Sequence, residues 1–278
     1  MGMKLPNTWV HDFGDFKMIL DDKDNDLSRQ VKHTGSYTDE LLETKVIRQH
    51  VKKDMIVADL GANLGFYTML SASLVGSKGK VYAFEPFLHN ANLITASAEL
   101  NQFSNVIVVN SAVADTNGET TLFLSPYYSS EHSLFDFHYT TGAKSTHETT
   151  KIKMTTLDEY LENTKNEKLD FIKMDIEGSE GNAIKGMTKA LTINENITLL
   201  TEFWPNALKN AGVEPIDYLK KISELGFTLH HVDGLKQQIY KVSIEEIEGI
   251  MKHRMKTGFE QYKEVSLGSW YTTILCKR

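Results

Sequence analysis

The sequence predicts an α/β fold: a mostly parallel sheet with helices on both faces. Three observations carry this. Short, buried-type apolar runs recur at Met55–Leu60, Val81–Phe84, Val106–Val109, Asp170–Met174 and Thr198–Phe203. Helix-like segments separate the first three of them. A glycine-containing turn, Gly61 to Gly65, stands where the first run hands over to a helix.

Taken in order, residues 9–37 are polar and turn-rich around an apolar patch at Phe16–Leu20. The acidic run from Asp21 to Asp26 is read as a solvated turn. An EF-hand loop counted from Asp22 would need Gly and Glu where Leu27 and His33 stand. A helix is expected over 38–51, with Thr38 as its cap and Asp39 and Glu40 in its first turn. Helices are next expected over 64–75 and 88–100, between the first three strands. Residues 119–124 and 151–155 alternate apolar and polar, as a hairpin would, and enclose the unpatterned stretch 125–150. After the strands at 170–174 and 198–203, a helix is expected over 215–225, with Pro215 at its first position and Gly226 beyond its end. A strand follows at Phe227–Val232. Ser243 and Glu246 form a capping box for an amphipathic helix, and Trp270–Cys276 is the last strand. This divides the chain into an N-terminal extension and helical cap, 1–54, and an α/β domain, 55–278, with the insertion 119–155.

Composition excludes several function classes. The net charge of -7 argues against the nucleic-acid backbone as main partner, which calls for clustered Lys and Arg. No apolar run approaches the length of a membrane span, and Met1–Pro6 lacks the apolar segment of a signal peptide. A cytoplasmic protein is expected. The single cysteine, Cys276, ends an apolar run and reads as a packing residue.

The turn Asp59-Leu60-Gly61-Ala62-Asn63-Leu64-Gly65 fits a ligand loop. Glycine lets the backbone approach a ligand closely, and a helix N-terminus follows. Its glycines are not spaced as in the dinucleotide fingerprint G-x-G-x-x-G. Glu85 ends the next strand, where an acid can take ribose hydroxyls. Asp59 would repel a pyrophosphate but suits a cationic sulfonium, which favours S-adenosyl-L-methionine over NAD.

These residues resemble the FkbM-type methyltransferases, a family of S-adenosylmethionine-dependent O-methyltransferases. The resemblance is carried by Asp59–Thr68, Ala83-Phe84-Glu85-Pro86, Asn101, Asn105–Asp115, Thr155–Asp158, Ile172–Gly178 with Glu180, and Lys185-Gly186, over roughly residues 12–203. It implies a Rossmann-like (class I) methyltransferase fold, a seven-stranded sheet whose last strand is antiparallel. It further implies that Gly61, Ala62, Asn63 and Gly65 carry the methionine end of the cofactor and that Glu85 takes the ribose. The turn Asn110-Ser111-Ala112 would flank the adenine, and Asp175 would lie beside the sulfonium. The acceptor would be a hydroxyl on a sugar, glycolipid or secondary metabolite. The chain departs from the usual pattern at Ser179 and at Asn182-Ala183.

An alcohol needs a base to lose its proton near neutral pH. The candidates are Asp175, Glu177 and Glu202, all at or just after strand ends where open α/β sheets bind ligands. Glu177 reads equally as a helix cap. These acids have the oxygen chemistry Mg²⁺ takes, yet no metal is assigned. Histidines 132, 138 and 147 lack zinc spacing. They read as exposed loop histidines, with a substrate-side base as the alternative, while Tyr127, Tyr128, Phe135, Phe137 and Tyr139 of the same unpatterned stretch form either a lid or pins that hold the loop to the core. Trp204 reads as packing, as does the amphipathic helix from Ser243. Two rivals stay open: an NAD-dependent oxidoreductase and a non-catalytic S-adenosylmethionine-binding module.

Overall fold

In the computed structural model the described residues are 5–37, 41–125, 128–136, 148–164, 167–261 and 270–278, with side chains left out over 256–261. The chain opens with the antiparallel pair β1 (Thr8–Asp12) and β2 (Lys17–Asp21), then α1 (Leu27–Thr34) and α2 (Leu41–His50). Residues 9–37, expected to be turn-rich, thus hold two strands and a helix. An isolated hairpin is marginal in water; this one is held from outside. Ser97 Oγ accepts the Ile19 N–H at 2.9 Å, Asn101 accepts the Lys17 N–H at 2.7 Å, and Asn101 Nδ2 donates to Lys17 O at 2.6 Å. The expected cap of the second helix, Thr38 with Asp39 and Glu40, lies outside the described residues.

The α/β alternation follows as β3 (Ile56–Leu60), α3 (Phe66–Val75), β4 (Lys80–Phe84), α4 (Leu88–Leu100) and β5 (Val106–Val109). A small sheet is made of β6 (Ala112–Val113), β7 (Gly118–Leu124) and β8 (Glu148–Thr155); β7 and β8 pair antiparallel, with Thr121 opposite Lys151. After α5 (Leu157–Asn163) come β9 (Phe171–Met174), α6 (Glu180–Lys185), α7 (Thr188–Ile193), β10 (Thr198–Phe203), α8 (Pro205–Asn210) and α9 (Pro215–Glu224). The chain ends in β11 (Thr228–Asp233), β12 (Gln238–Lys241), α10 (Ile244–Gln261) and β13 (Thr272–Lys277). The box that opens α10 is reciprocal: Glu246 accepts the Ser243 N–H at 2.7 Å and Ser243 Oγ accepts the Glu246 N–H at 3.2 Å.

The main sheet runs β12-β11-β13-β10-β9-β3-β4-β5, and β13 is antiparallel to both neighbours. It has eight strands. The added one is the edge strand β12, which returns antiparallel on β11. Both faces are covered, so strand residues alternate between two cores. Ala58, Leu60, Ile172, Met174, Leu199 and Phe203 pack in one; Val57, Phe171, Leu200 and Leu275 pack in the other. Cys276 is fully buried. β3 and β9 run parallel, and strand order reverses between them: β4 and β5 are added to one side, β10 and the later strands to the other. Parallel strands leave a crevice at the carboxyl ends of such a pair, and the loops after Leu60 and Met174 meet there.

Candidate active site

The turn after β3 is built by backbone geometry. Gly61 (φ 78°) and Gly65 (φ 91°) are left-handed, as is Asn63 (φ 49°), a conformation that glycine and asparagine bear most easily. The N–H groups of Gly61 and Ala62 both donate to Phe84 O at 3.0 Å, locking the turn to β4. A Cβ on Gly61 would stand 1.9 Å from the Asp175 carbonyl oxygen. The loops after β3 and β9 therefore touch backbone to backbone, and only glycine permits it.

Glu85 sits under this turn. Its Oε2 accepts the Asn63 N–H and its Oε1 the Phe87 N–H, each at 2.8 Å. It is buried, and loss of hydration raises its pKa to about 8. Asp59 is likewise buried. It accepts from Thr68 Oγ1 at 2.6 Å and lies 3.9 Å from Lys173 Nζ, and burial raises its pKa. Lys173 Nζ also approaches Asp175 at 3.3 Å and donates to Gly61 O at 3.3 Å, so one ammonium ties β3, β9 and the turn together.

A cavity of about 1720 Å³ opens at this crevice. Of the residues singled out by sequence, Gly61, Ala62, Asn63, Asp175, Glu177 and Glu202 line it. Asp59, Gly65, Glu85, Ser111 and Ala112 do not. The first and third lie beneath the turn, and Ser111 and Ala112 are buried at the start of β6. Asn110 instead braces the strand ends, its Nδ2 donating to the Glu85 and Pro86 carbonyls at 2.9 Å.

Asp175, Glu177 and Glu202 bring one carboxylate oxygen each to within 4.8 Å of one another, close enough to share a cation. Glu177 is left-handed (φ 52°), and its Oε2 is buried without a hydrogen-bond partner. Its pKa is well raised, first by burial and then by the charge of Asp175. α6 has no side-chain cap, from Glu177 or otherwise; Glu180 Oε1 instead reaches back to accept the Ile176 N–H at 2.9 Å, bracing the loop before the helix. Glu180 is fully buried, and burial raises its pKa to about 7.

Sequence reasoning missed Glu43. It comes from α2, far away in sequence, and lines the same cavity. Its Oε1 accepts from Thr273 Oγ1 at 2.8 Å, and Thr273 stands opposite Glu202 in the sheet register. Burial raises its pKa, and the charge of Asp175 adds to the rise. Nothing in the helix-like pattern of 41–50 sets Glu43 apart from a solvated acid.

The stretch after β7 is a wall of the site. Ser129 Oγ donates to Asp24 at 2.7 Å and to Asn63 at 3.2 Å, and Ser133 Oγ donates to Glu177 O at 2.9 Å. His132 accepts the Ser125 N–H at 3.1 Å and meets the Phe87 ring edge-on at 5.1 Å; burial lowers its pKa to about 4, so it is neutral. Tyr128 lines the cavity. Tyr127, Phe137, His138, Tyr139 and His147 lie outside the described residues. Trp204 also lines the cavity, beside Tyr271 at 6.2 Å between ring centroids. α10 packs Ile247 and Met251 into the core and turns Glu246, Ile250, His253 and Arg254 to the cavity.

Residues 59–229 match the family model of the methyltransferase FkbM domain. The hexuronic acid methyltransferase AglP of Haloferax volcanii is 26% identical over 181 residues, which span 65% of this chain and 66% of that protein, just under two thirds of its length. A SAM-dependent O-methyltransferase from Thermotoga maritima aligns in space with TM-score 0.46 and 14% identity, over 94% of this chain and 73% of that one. An rRNA methylase from Streptococcus thermophilus aligns with TM-score 0.46 and 10% identity, over 87% of this chain and 97% of the other. Among the described residues, no helix is long and apolar enough to cross a membrane.

Proposed function

The chain belongs to the family of methyltransferase FkbM domains, and from that premise we propose that it transfers a methyl group from S-adenosyl-L-methionine to a hydroxyl oxygen of a sugar-containing acceptor. The observation that carries this reading is the meeting of the Gly61–Gly65 turn with Asp175, Glu177 and Glu202 in one cavity at the β3/β9 crevice. The donor set fits the group: a cationic sulfonium and an ammonium suit an end rich in carboxylates, and the turn's backbone comes bare to the wall at Gly61. The bound cofactor supplies an electrophilic methyl on a sulfonium that leaves as a neutral thioether.

The protein's own contribution is alignment, exclusion of water and removal of one proton. The turn fixes one end of the cavity. Asp175, held by Lys173 at 3.3 Å, orients the cationic groups. Glu202 takes the hydroxyl proton as the oxygen–carbon bond forms, and Glu43, across Thr273, keeps that end acidic. Glu85 shapes the turn from beneath, its two oxygens accepting the Asn63 and Phe87 N–H groups. Family membership leaves the NAD-dependent reading without support. The name of the Haloferax relative is what favours a sugar acceptor.

The test is incubation with S-adenosyl-L-methionine and a panel of glycosides, following S-adenosylhomocysteine release and the acceptor's mass. Release coupled to one added methyl supports the proposal. Cofactor binding with no transfer to any hydroxyl would favour the binding module, and no affinity for either form of the cofactor would remove the reading.

A further inference from the structure

The cavity is electrically two-ended. At the β3/β9 crevice its charged lining includes Glu43, Glu131, Asp175, Glu177 and Glu202 against Lys173. At the other end, around the β11–β12 turn, α8 and α10, it includes Lys209, Lys236 and Arg254 with His253, against Asp233 and Glu246. In a chain of net charge -7, this places cations on one wall of a site whose opposite wall repels anions.

The cationic wall is pre-organised. Lys236 Nζ lies 3.2 Å from the buried Asp233 carboxylate and 5.3 Å from the Tyr240 ring centroid. Tyr240 OH donates to Asp233 at 3.3 Å and pairs with His231 Nδ1 at 3.0 Å, while His231 Nε2 pairs with Thr272 Oγ1 at 2.8 Å. His231 is buried, and desolvation lowers its pKa against the opposing charge of Asp233; Lys236 and Arg254 both line the cavity. Exposed aromatic surface adjoins it: Tyr271 is 61% exposed and stands beside Trp204. A ring pair of this kind suits the apolar face of a sugar.

The separation sets the ligand's size. β11 is three strands from β9 across β13 and β10, or about 14 Å at the usual strand spacing, more than one pyranose ring. Resting on the methyltransferase reading, we infer that the acceptor is a glycan of two or more sugars, whose methylated hydroxyl enters the acidic end while an anionic group on a neighbouring sugar is held by Lys236 and Arg254, over Trp204 and Tyr271. The anionic group is a carboxylate or a phosphate.

Calorimetry with the full chain and no methyl donor tests this with three probes: a glucose disaccharide, the same disaccharide with a distal glucuronic acid, and the same disaccharide with a distal phosphate. At least one acidic probe should bind about tenfold or more tightly than the neutral one, as charge-assisted hydrogen bonds require. Lys236→Gln and Arg254→Gln, both at solvent-accessible positions, should each abolish most of that preference without changing neutral binding. Preference for the glucuronic acid alone identifies a uronate, and preference for the phosphate alone a phosphorylated glycan. Equal binding of all three probes, absence of binding by both acidic ones, or a preference unmoved in both variants would overturn the inference. S-adenosylhomocysteine titrated into the same samples reads the methyltransferase proposal separately: its binding without acidic preference sinks this inference alone.

Discussion

Gly61→Ala isolates the contact on which the site depends. The added Cβ would lie 1.9 Å from the Asp175 carbonyl oxygen and 3.0 Å from its carbon, and the residue must keep φ near 78°. A left-handed L-residue costs about 1–2 kcal/mol, and overpacking that shifts backbone costs about 1–3 kcal/mol. Together the loss is about 2–5 kcal/mol, a large share of the roughly 5–15 kcal/mol of a typical domain, or roughly 5–15 °C in Tm. Gly212 supplies the control, because it has the same φ of 78° with nothing within 4 Å of a Cβ. Gly212→Ala should cost only the conformational part, about 1–2 kcal/mol. The assay is urea unfolding of both variants beside calorimetric titration with S-adenosylhomocysteine. Gly61→Ala should stay folded at 20 °C, lose more stability than Gly212→Ala, and lose cofactor affinity at least tenfold. Equal destabilisation of the two variants would refute the backbone contact, and wild-type cofactor affinity in Gly61→Ala would refute the placement of the cofactor at this turn.

Other outcomes follow from the same geometry. Lys173→Met removes the ammonium near buried Asp59 and should cost about 3–5 kcal/mol; adding Asp59→Asn should recover much of it, and a double-mutant cycle from denaturant melts measures this. Glu85 has a folded pKa of about 8 against an ordinary 4.5, so between these pH values the native state holds a proton that the unfolded chain has released. Its contribution is complete below pH 4.5 and disappears as pH rises through 8. Tm should therefore fall less steeply over this window in Glu85→Gln than in the wild type; parallel Tm–pH curves would contradict the assigned burial. Asp175→Ala should lower turnover at least a hundredfold with the fold intact by circular dichroism, and full activity would remove Asp175 from the chemistry. Glu202→Gln should lower kcat most on the pH-independent plateau above the pKa of the base, where the wild-type carboxylate is ionised, while KM for S-adenosyl-L-methionine stays near the wild-type value; a raised KM with unchanged kcat would assign Glu202 to binding instead of proton transfer.

Much of the framework was legible because its signals are local. A buried parallel strand needs a continuous apolar run, so β3, β4, β5, β9 and β10 appear at nearly the expected limits. The capping box at Ser243 and Glu246 needs only residues three apart. Elements held by distant partners were not legible. The β1–β2 hairpin depends on Ser97 and Asn101 of α4 and its C-terminal end, and α6 and α8 have only six residues each, too short for a clear period.

The site divides along the same line. The sequence alone determined that a glycine turn follows the first α/β strand, that an acid ends the next strand, and that Asp175, Glu177 and Glu202 stand at strand ends, because each follows from chain-local spacing. Only the tertiary structure decided which side chains share the cavity. It turned Asp59 and Glu85 into buried supports of the turn, since hydrogen bonds to Thr68, Asn63 and Phe87 hold them there. It brought Glu43 of α2 opposite Glu202 through Thr273, and set Lys236 and Arg254 across the cavity. Those pairings are long-range, and their energy comes from packing that no window along the chain contains.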